Sequence, residues 1–145
     1  MEKGVDLFAE TKKAFNIGEV DITSYSPLAL AYIGDGVYEL VIRTVIVTKY
    51  HATPDKMHKT SSKYVKAVTQ ANIVNLLKDD LSEKEMSIYK RGRNSKSSSM
   101  AKNATMAEYR AATGFEALIG YLYLTGNLER AIELIQLGIE KFEGQ

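Results

Sequence analysis

The chain reads as an all-α protein, a single helical domain covering residues 1–145. Two observations predict that class. No stretch alternates polar and apolar residues for the length of a useful strand, while apolar residues recur at helical spacing through several long segments. Helix-start signals also punctuate the chain between those segments, and 145 residues suffice for one domain with a real core but not for two comfortable ones.

The elements follow in order. Residues 5–15 carry a weak helical pattern, and the first 20 residues as a whole are the least patterned part of the chain. Both prolines are read as first helical positions behind a capping hydroxyl: Ser26-Pro27 opens a helix over 27–49, and Thr53-Pro54 one over 54–78. Two reciprocal Ser/Thr-x-x-Glu caps, Ser82 with Glu85 and Thr105 with Glu108, start helices over 82–91 and 105–125. Thr125-Gly126-Asn127 predicts a glycine stop followed by a new N-cap and a last helix over 127–142. Between Gly92 and Asn103 the run GRNSKSSSMAKN has no apolar period and predicts a mobile loop.

Composition narrows the function classes. With 45% hydrophobic and 26% charged residues the chain is of ordinary globular type, not a disordered one. It has no cysteine, which excludes a disulfide scaffold, a thiolate metal site and a cysteine nucleophile, and fits a reducing cytoplasm. The N-terminal run MEKGVDLFAETKKAFN lacks the apolar core of a signal peptide. Asp35, Glu39 and Arg43 interrupt the longest apolar stretch, Leu28 to Val47, so it is expected to be a buried helix rather than a membrane span. The net charge of +1 carries no signal by itself, and any nucleic-acid preference must come from how charge is distributed.

Chemistry enters with two acids in apolar company. In PLALAYIGDGVYELVIRTVIV nearly every position is apolar or small, predicting burial on most sides, and the charges Asp35, Glu39 and Arg43 fall on one stripe. Glu39 and Arg43 can pair across one turn. Asp35 lies roughly 12 Å along the axis from Arg43, too far for that arginine to serve both acids easily. In AATGFEALIGYLYLTG, Glu116 is the sole charge, and Gly114, Ala117 and Gly120 around it would admit a close helix neighbour.

A carboxylate buried alone costs several kcal/mol, so it must find a cation, take a proton or open onto a wet cleft. Two such acids on packed helices can share one divalent ion, with water and a substrate phosphate filling the remaining positions, as Mg²⁺ favours. The competing reading has Arg43 or Arg110 neutralising Glu116. His51 and His58 are read as surface residues, and no Ser/His/Asp triad, phosphate loop, dinucleotide fingerprint or zinc spacing is present. Glu108 is assigned to its helix cap and left out of the site.

AYIGDGVYELVIR (residues 31–43) and GFEALIGYLYL (114–124) resemble the two acidic helices of the ribonuclease III family, in the family's order and separation. KRGRNSK (90–96), AKN (101–103) and EYRAATGFEAL (108–118) are more particularly similar to its Mini-ribonuclease III subgroup, in which the chain ends after the catalytic domain. The resemblance runs from about residue 26 to 140. It implies a homodimeric, all-α endonuclease fold, with Asp35 and Glu116 as catalytic residues and ligands of Mg²⁺, for which Mn²⁺ can substitute.

It further implies cleavage of double-stranded RNA, one strand per site, leaving 5′-phosphate and 3′-hydroxyl ends with a short 3′ overhang. A stem of large-subunit (23S) ribosomal RNA precursors is the substrate it implies, and it leaves room for a ribosomal protein as helper. The dimer interface is expected on the first acidic helix near Tyr32 and Ile33. Two positions that are usually acidic in the family are here Ala31 and Thr113, so the family's four-carboxylate site does not carry over to this chain by resemblance, and the number of metals per site stays open.

Two basic groups would hold the RNA. Lys56, Lys59, Lys63 and Lys66 form a helical stripe, of which Lys59 and Lys63 are the candidate contacts; Lys90, Arg91, Arg93, Lys96 and Lys102 lie in and around the expected loop. Duplex RNA is recognised by shape through its phosphates and 2′-hydroxyls, which suits such groups. The alternatives to an active enzyme are a module of this fold that binds structured RNA without cutting, and a helical dimerisation protein whose acids pair with arginines.

Overall fold

The structure is a computed structural model and describes residues 6–95 and 104–145, all of whose regular elements are helical. Among these residues seven α-helices form: α1 (Leu7–Ala14), α2 (Pro27–Lys49), α3 (Pro54–Val65), α4 (Ala67–Leu77), α5 (Glu83–Arg93), α6 (Met106–Leu124) and α7 (Leu128–Glu143). Single 3₁₀ turns precede α2 and follow α4.

The sequence-level start signals set these boundaries. Ser26 accepts from the Ala29 N–H at 3.1 Å with Pro27 behind it, and Thr53 accepts from Lys56 at 3.3 Å with Pro54 behind it. Both reciprocal caps close as expected. At the end of α6, Gly126 takes a φ of +78°, and the Asn127 and Gly126 N–H groups reach back to Leu122 and Tyr123 at 2.7 and 3.2 Å. That is a glycine-dependent Schellman stop. Asn127 stands before α7 but does not cap it, because its amide turns back to the Thr125 hydroxyl at 2.9 Å.

Two boundaries differ from expectation. The helix expected over 54–78 is broken at Lys66, whose backbone is extended (φ −71°, ψ 153°). Three successive carbonyls at the end of α3 are taken by side chains instead of by the next turn. Thr69 Oγ1 donates to the Lys63 carbonyl at 2.6 Å, the Tyr38 hydroxyl to that of Tyr64 at 2.8 Å, and Gln70 Nε2 to that of Val65 at 2.8 Å. Side-chain donors satisfying the last carbonyls of a helix let it end without a glycine or proline. Second, α5 runs two residues into the expected loop, because Gly92 is buried against Gly114 and Ala117 of α6. Residues 96–103 of that loop lie outside the described residues.

Helix α6 is the centre of the molecule, with α2, α4, α5 and α7 packed around it. Its sequence is apolar on every side, which is the pattern of an enclosed helix. Phe115, Ala117, Leu118 and Ile119 are fully buried. The α2–α6 contact is the most extensive. It is so close that a Cβ on Gly34 would fall 1.7 Å from the Glu116 carbonyl, and one on Gly120 would fall 1.9 Å from the Leu30 carbonyl. No side chain fits either position. Helix α5 is tied to α7 by Arg130, which donates to both oxygens of the buried Glu85 at 2.9 Å and to the Asp80 carbonyl at 2.9 Å.

One expectation about α2 needs correction. It is not buried on most sides: Leu30, Val37, Tyr38, Ile42 and Ile46 face the core, whereas Leu28, Tyr32, Leu40 and Val47 form an exposed apolar stripe along the opposite side. Tyr32 is 85% exposed. No helix of the described chain is long and apolar enough to cross a membrane.

Candidate active site

The glycine-lined crossing of α2 and α6 builds the site. Gly34 presses its backbone onto that of Glu116, and the next residue of α2 is Asp35. The two acids named from the sequence therefore meet: Asp35, solvent-exposed, lies close enough to Glu116 to share a hydrogen bond with it. Glu116 is half-buried. Burial first, and then the neighbouring charge and hydrogen bond of Asp35, push its carboxyl from the ordinary 4.5 up to about 8; a contact from Gln70 pulls modestly the other way. Two carboxyl groups placed this close cannot both ionise cheaply without a cation.

Arginine does not supply that cation. Arg43 pairs with Glu39 at 3.4 Å on the exposed side of α2, as the i,i+4 spacing predicts, and Arg110 is exposed. Among the described residues neither Asp35 nor Glu116 forms a salt bridge. The reading in which a guanidinium neutralises Glu116 is thus removed.

The remaining members of the cluster come from α2 and α4. Tyr38, fully buried, stands edge-on to Phe115 with ring centroids 5.7 Å apart, and burial raises its hydroxyl well above the usual phenol range. Gln70 is 1% exposed, and its Nε2 lies 3.4 Å from Glu116 Oε2. Sequence reasoning missed Gln70. The signal that could have found it was a polar residue among the apolar positions of a helix, Ala67–Leu77, that was read only as the tail of a longer one.

The two family positions lacking an acid add nothing here. Ala31 is buried, and Thr113 is buried with its hydroxyl returned to the Tyr109 carbonyl at 3.0 Å. No group of three or more His, Cys, Asp or Glu side chains gathers among the described residues. The donor set is therefore two carboxylates beside a neutral amide, one of them open to solvent. Hard oxygen donors, few in number and wet, fit Mg²⁺, which keeps most of its waters; they do not fit a closed zinc centre.

The described candidate RNA contacts are on the surface, with Arg93 partly covered. Lys59 and Lys63 are exposed on α3 together with Lys56, Lys66 is exposed at the break that follows, and Lys63 sits 5.3 Å from the centre of the Tyr64 ring. Lys90 and Arg91 line an open cleft of about 830 Å³ with Pro27, Ser82, Glu83 and Asn94, while Arg93 lies over the Tyr89 ring at 5.6 Å. Lys96 and Lys102 lie outside the described residues. His51 and His58 are exposed. Glu108 closes its cap at 2.9 Å, as assigned.

Comparison with known proteins bears on the same residues. The ribonuclease III domain family matches residues 28–127, which include both acids. The chain is 47% identical over 124 residues to Mini-ribonuclease 3 of Clostridium tetani, covering 85% of this chain and 82% of that one. It is 45% identical over 143 residues to Mini-ribonuclease 3 of a Thermoanaerobacter species, covering 99% of each. The crystal structure of protein FN1578 from Fusobacterium nucleatum superposes with a TM-score of 0.76 at 32% identity, over 86% of this chain and 98% of that one. On these matches the chain belongs to the ribonuclease III family, within its Mini-ribonuclease 3 group, and is an RNA endonuclease of the hydrolase class.

Proposed function

We propose that this endoribonuclease is Mg²⁺-dependent and specific for double-stranded RNA, that it works as a cytoplasmic homodimer, and that a stem of the 23S ribosomal RNA precursor is its substrate. The observation that carries the catalytic part is the Asp35–Glu116 pair, two carboxyl groups meeting at a helix crossing with no protein cation between them. Asp35 and Glu116 are the catalytic residues and the metal ligands. Mn²⁺, equally an oxygen-seeking divalent ion, substitutes for Mg²⁺.

When bound, the metal supplies an activated water and neutralises charge on the phosphoryl oxygen. The chain's own part is positional. The α2–α6 crossing holds the acids together, exposed Asp35 faces the solvent from which a phosphodiester arrives, and half-buried Glu116 anchors the inner side. Lys59, Lys63, Lys90, Arg91 and Arg93, with Lys96 and Lys102, hold RNA phosphates. The exposed apolar stripe of α2, centred on Tyr32, supports a two-fold partner there, since monomers rarely leave such a stripe open. A ribosomal protein is the kind of helper that would raise affinity for the precursor.

A second reading has one specific observation in its favour. Buried Ala31 and back-bonded Thr113 bring no oxygen to the site, as expected of a module that docks on RNA without cutting. One assay separates the two. Long duplex RNA and the matching single strand are incubated with Mg²⁺ and the wild type, Asp35→Asn or Glu116→Gln. The enzyme reading expects duplex cutting by the wild type and at least about a hundredfold loss in either variant, with RNA binding retained. Binding without cutting by the wild type selects the docking module.

A further inference from the structure

Gln70, on α4, is a fully buried polar side chain at the edge of the acidic pair. Its placement has two halves. Nε2 donates to the Val65 carbonyl at 2.8 Å and approaches Glu116 Oε2 at 3.4 Å. Oε1 meets no donor among the described residues. The assignment of the two amide atoms is dictated by chemistry, because a carbonyl oxygen only accepts and the atom facing Val65 must be the –NH₂.

Both protons of that –NH₂ thus have acceptors, one on the helix break and one on the carboxylate. This leaves a buried acceptor one amide width from Glu116. Buried acceptors of this kind are rare in folded proteins and call for an explanation. A lysine or arginine in its place would neutralise Glu116, and a carboxylate would add charge. An amide does neither: it holds the carboxylate by a donor and adds no charge.

We propose that Gln70 is a positioning residue of the metal site, orienting the Glu116 carboxylate through Nε2 while its neutral amide adds no charge beside the divalent cation. This rests on the reading of Asp35 and Glu116 as metal ligands. Groups one step removed from the metal commonly set its affinity, because they fix the orientation of the direct ligands. The α3–α4 break then has a function, since the extended backbone at Lys66 brings Val65 within reach of Gln70 and so braces the amide from the far side.

The test measures metal binding directly, by titrating Mn²⁺ into full-length protein and following free Mn²⁺ by electron paramagnetic resonance, alongside the Mg²⁺ concentration for half-maximal cleavage and thermal melting without metal. Gln70→Leu is expected to weaken Mn²⁺ binding roughly tenfold and to raise the Mg²⁺ requirement in step, leaving the KM for RNA unchanged. If leucine does not give a cooperatively folded chain, Gln70→Met takes its place. Gln70→Glu is expected to melt earlier without metal, yet to bind Mn²⁺ more tightly than the wild type, an opposite pair of effects that a purely structural role would not produce.

Mn²⁺ affinity within twofold of wild type in both the apolar and the glutamate variant overturns the proposal. Asp35→Asn and Glu116→Gln separate its failure from that of the parent reading. If they abolish Mn²⁺ binding while the Gln70 variants leave it intact, the metal site stands and only the role of Gln70 falls. If the wild type itself binds no Mn²⁺, both fall.

Discussion

The Glu116 carboxyl shows how one residue couples burial to chemistry. Held up to about 8 by burial and by Asp35, it is protonated in metal-free protein over a range where an unfolded chain would have it ionised. The folded state therefore binds the extra proton between the ordinary 4.5 and about 8, and this contribution to stability is present at low pH and lost as pH rises toward 8. Metal-free wild type is expected to lose melting temperature from pH 5 to pH 8 relative to Glu116→Gln, and saturating Mg²⁺ should flatten that difference. A parallel dependence in both proteins would show that Glu116 does not titrate there. At the proposed metal site binding displaces the same proton, so the Mg²⁺ requirement for cleavage should fall as pH rises through this interval. The glycines beside the acids are equally specific. Gly34→Ala drives a methyl into the Glu116 carbonyl and should destabilise the fold by more than about 3 kcal/mol in chemical denaturation, whereas Gly36→Ala, with open space around it, should be neutral or slightly stabilising.

Among the elements, α3 and α4 look continuous in the sequence and are not. Tyr38, Thr69 and Gln70, donors from two different helices, take the three carbonyls that would otherwise have propagated the helix. The break is a tertiary event, so local propensity could not reveal it. Helices α5 and α7 show the reverse relation. Glu85 was legible as a capping acid, and its cap does form, but the same carboxylate also receives both arms of Arg130 from α7, which holds its pKa below the usual range. Arg130 is raised above its ordinary value by that pair and by Glu133. Glu85→Ala should cost about 2 kcal/mol in urea denaturation while leaving the Mg²⁺ requirement unchanged, since this ion pair braces two helices away from the acids. A change in the metal requirement would mean that the brace reaches the site.

For the whole molecule, the exposed face of α2 matters most. Leu28, Tyr32, Leu40 and Val47 line one side of a helix whose other side carries Asp35's neighbours into the core, so any partner seated there lies beside the acids. Tyr32→Glu with Leu40→Glu should turn the proposed dimer into a folded monomer in sedimentation and abolish duplex cutting. A variant that sediments like the wild type would remove the proposed interface. RNA binding itself should depend on salt, and Arg91→Ala with Arg93→Ala should lower both the affinity at low salt and the slope of that dependence by about two phosphate contacts. An unchanged slope would move the RNA off the α5 end.

Hydroxyl caps, proline starts and the Gly126 stop are local, so the helix boundaries at 27, 54, 83, 106 and 124 could be read within a residue or so from the chain alone. The two acids were legible for a similar reason, because a charge in an apolar helix stands out without any knowledge of its neighbours. Whether they met, and whether an arginine reached them first, depended on the α2–α6 crossing and on where Arg43 and Arg110 point. The break at Lys66, the place of Gln70 and the open side of α2 likewise arise from contacts between segments distant in sequence. Short-range hydrogen bonds are written in a few adjacent residues, whereas burial and charge pairing are properties of surfaces that exist only once the helices have packed.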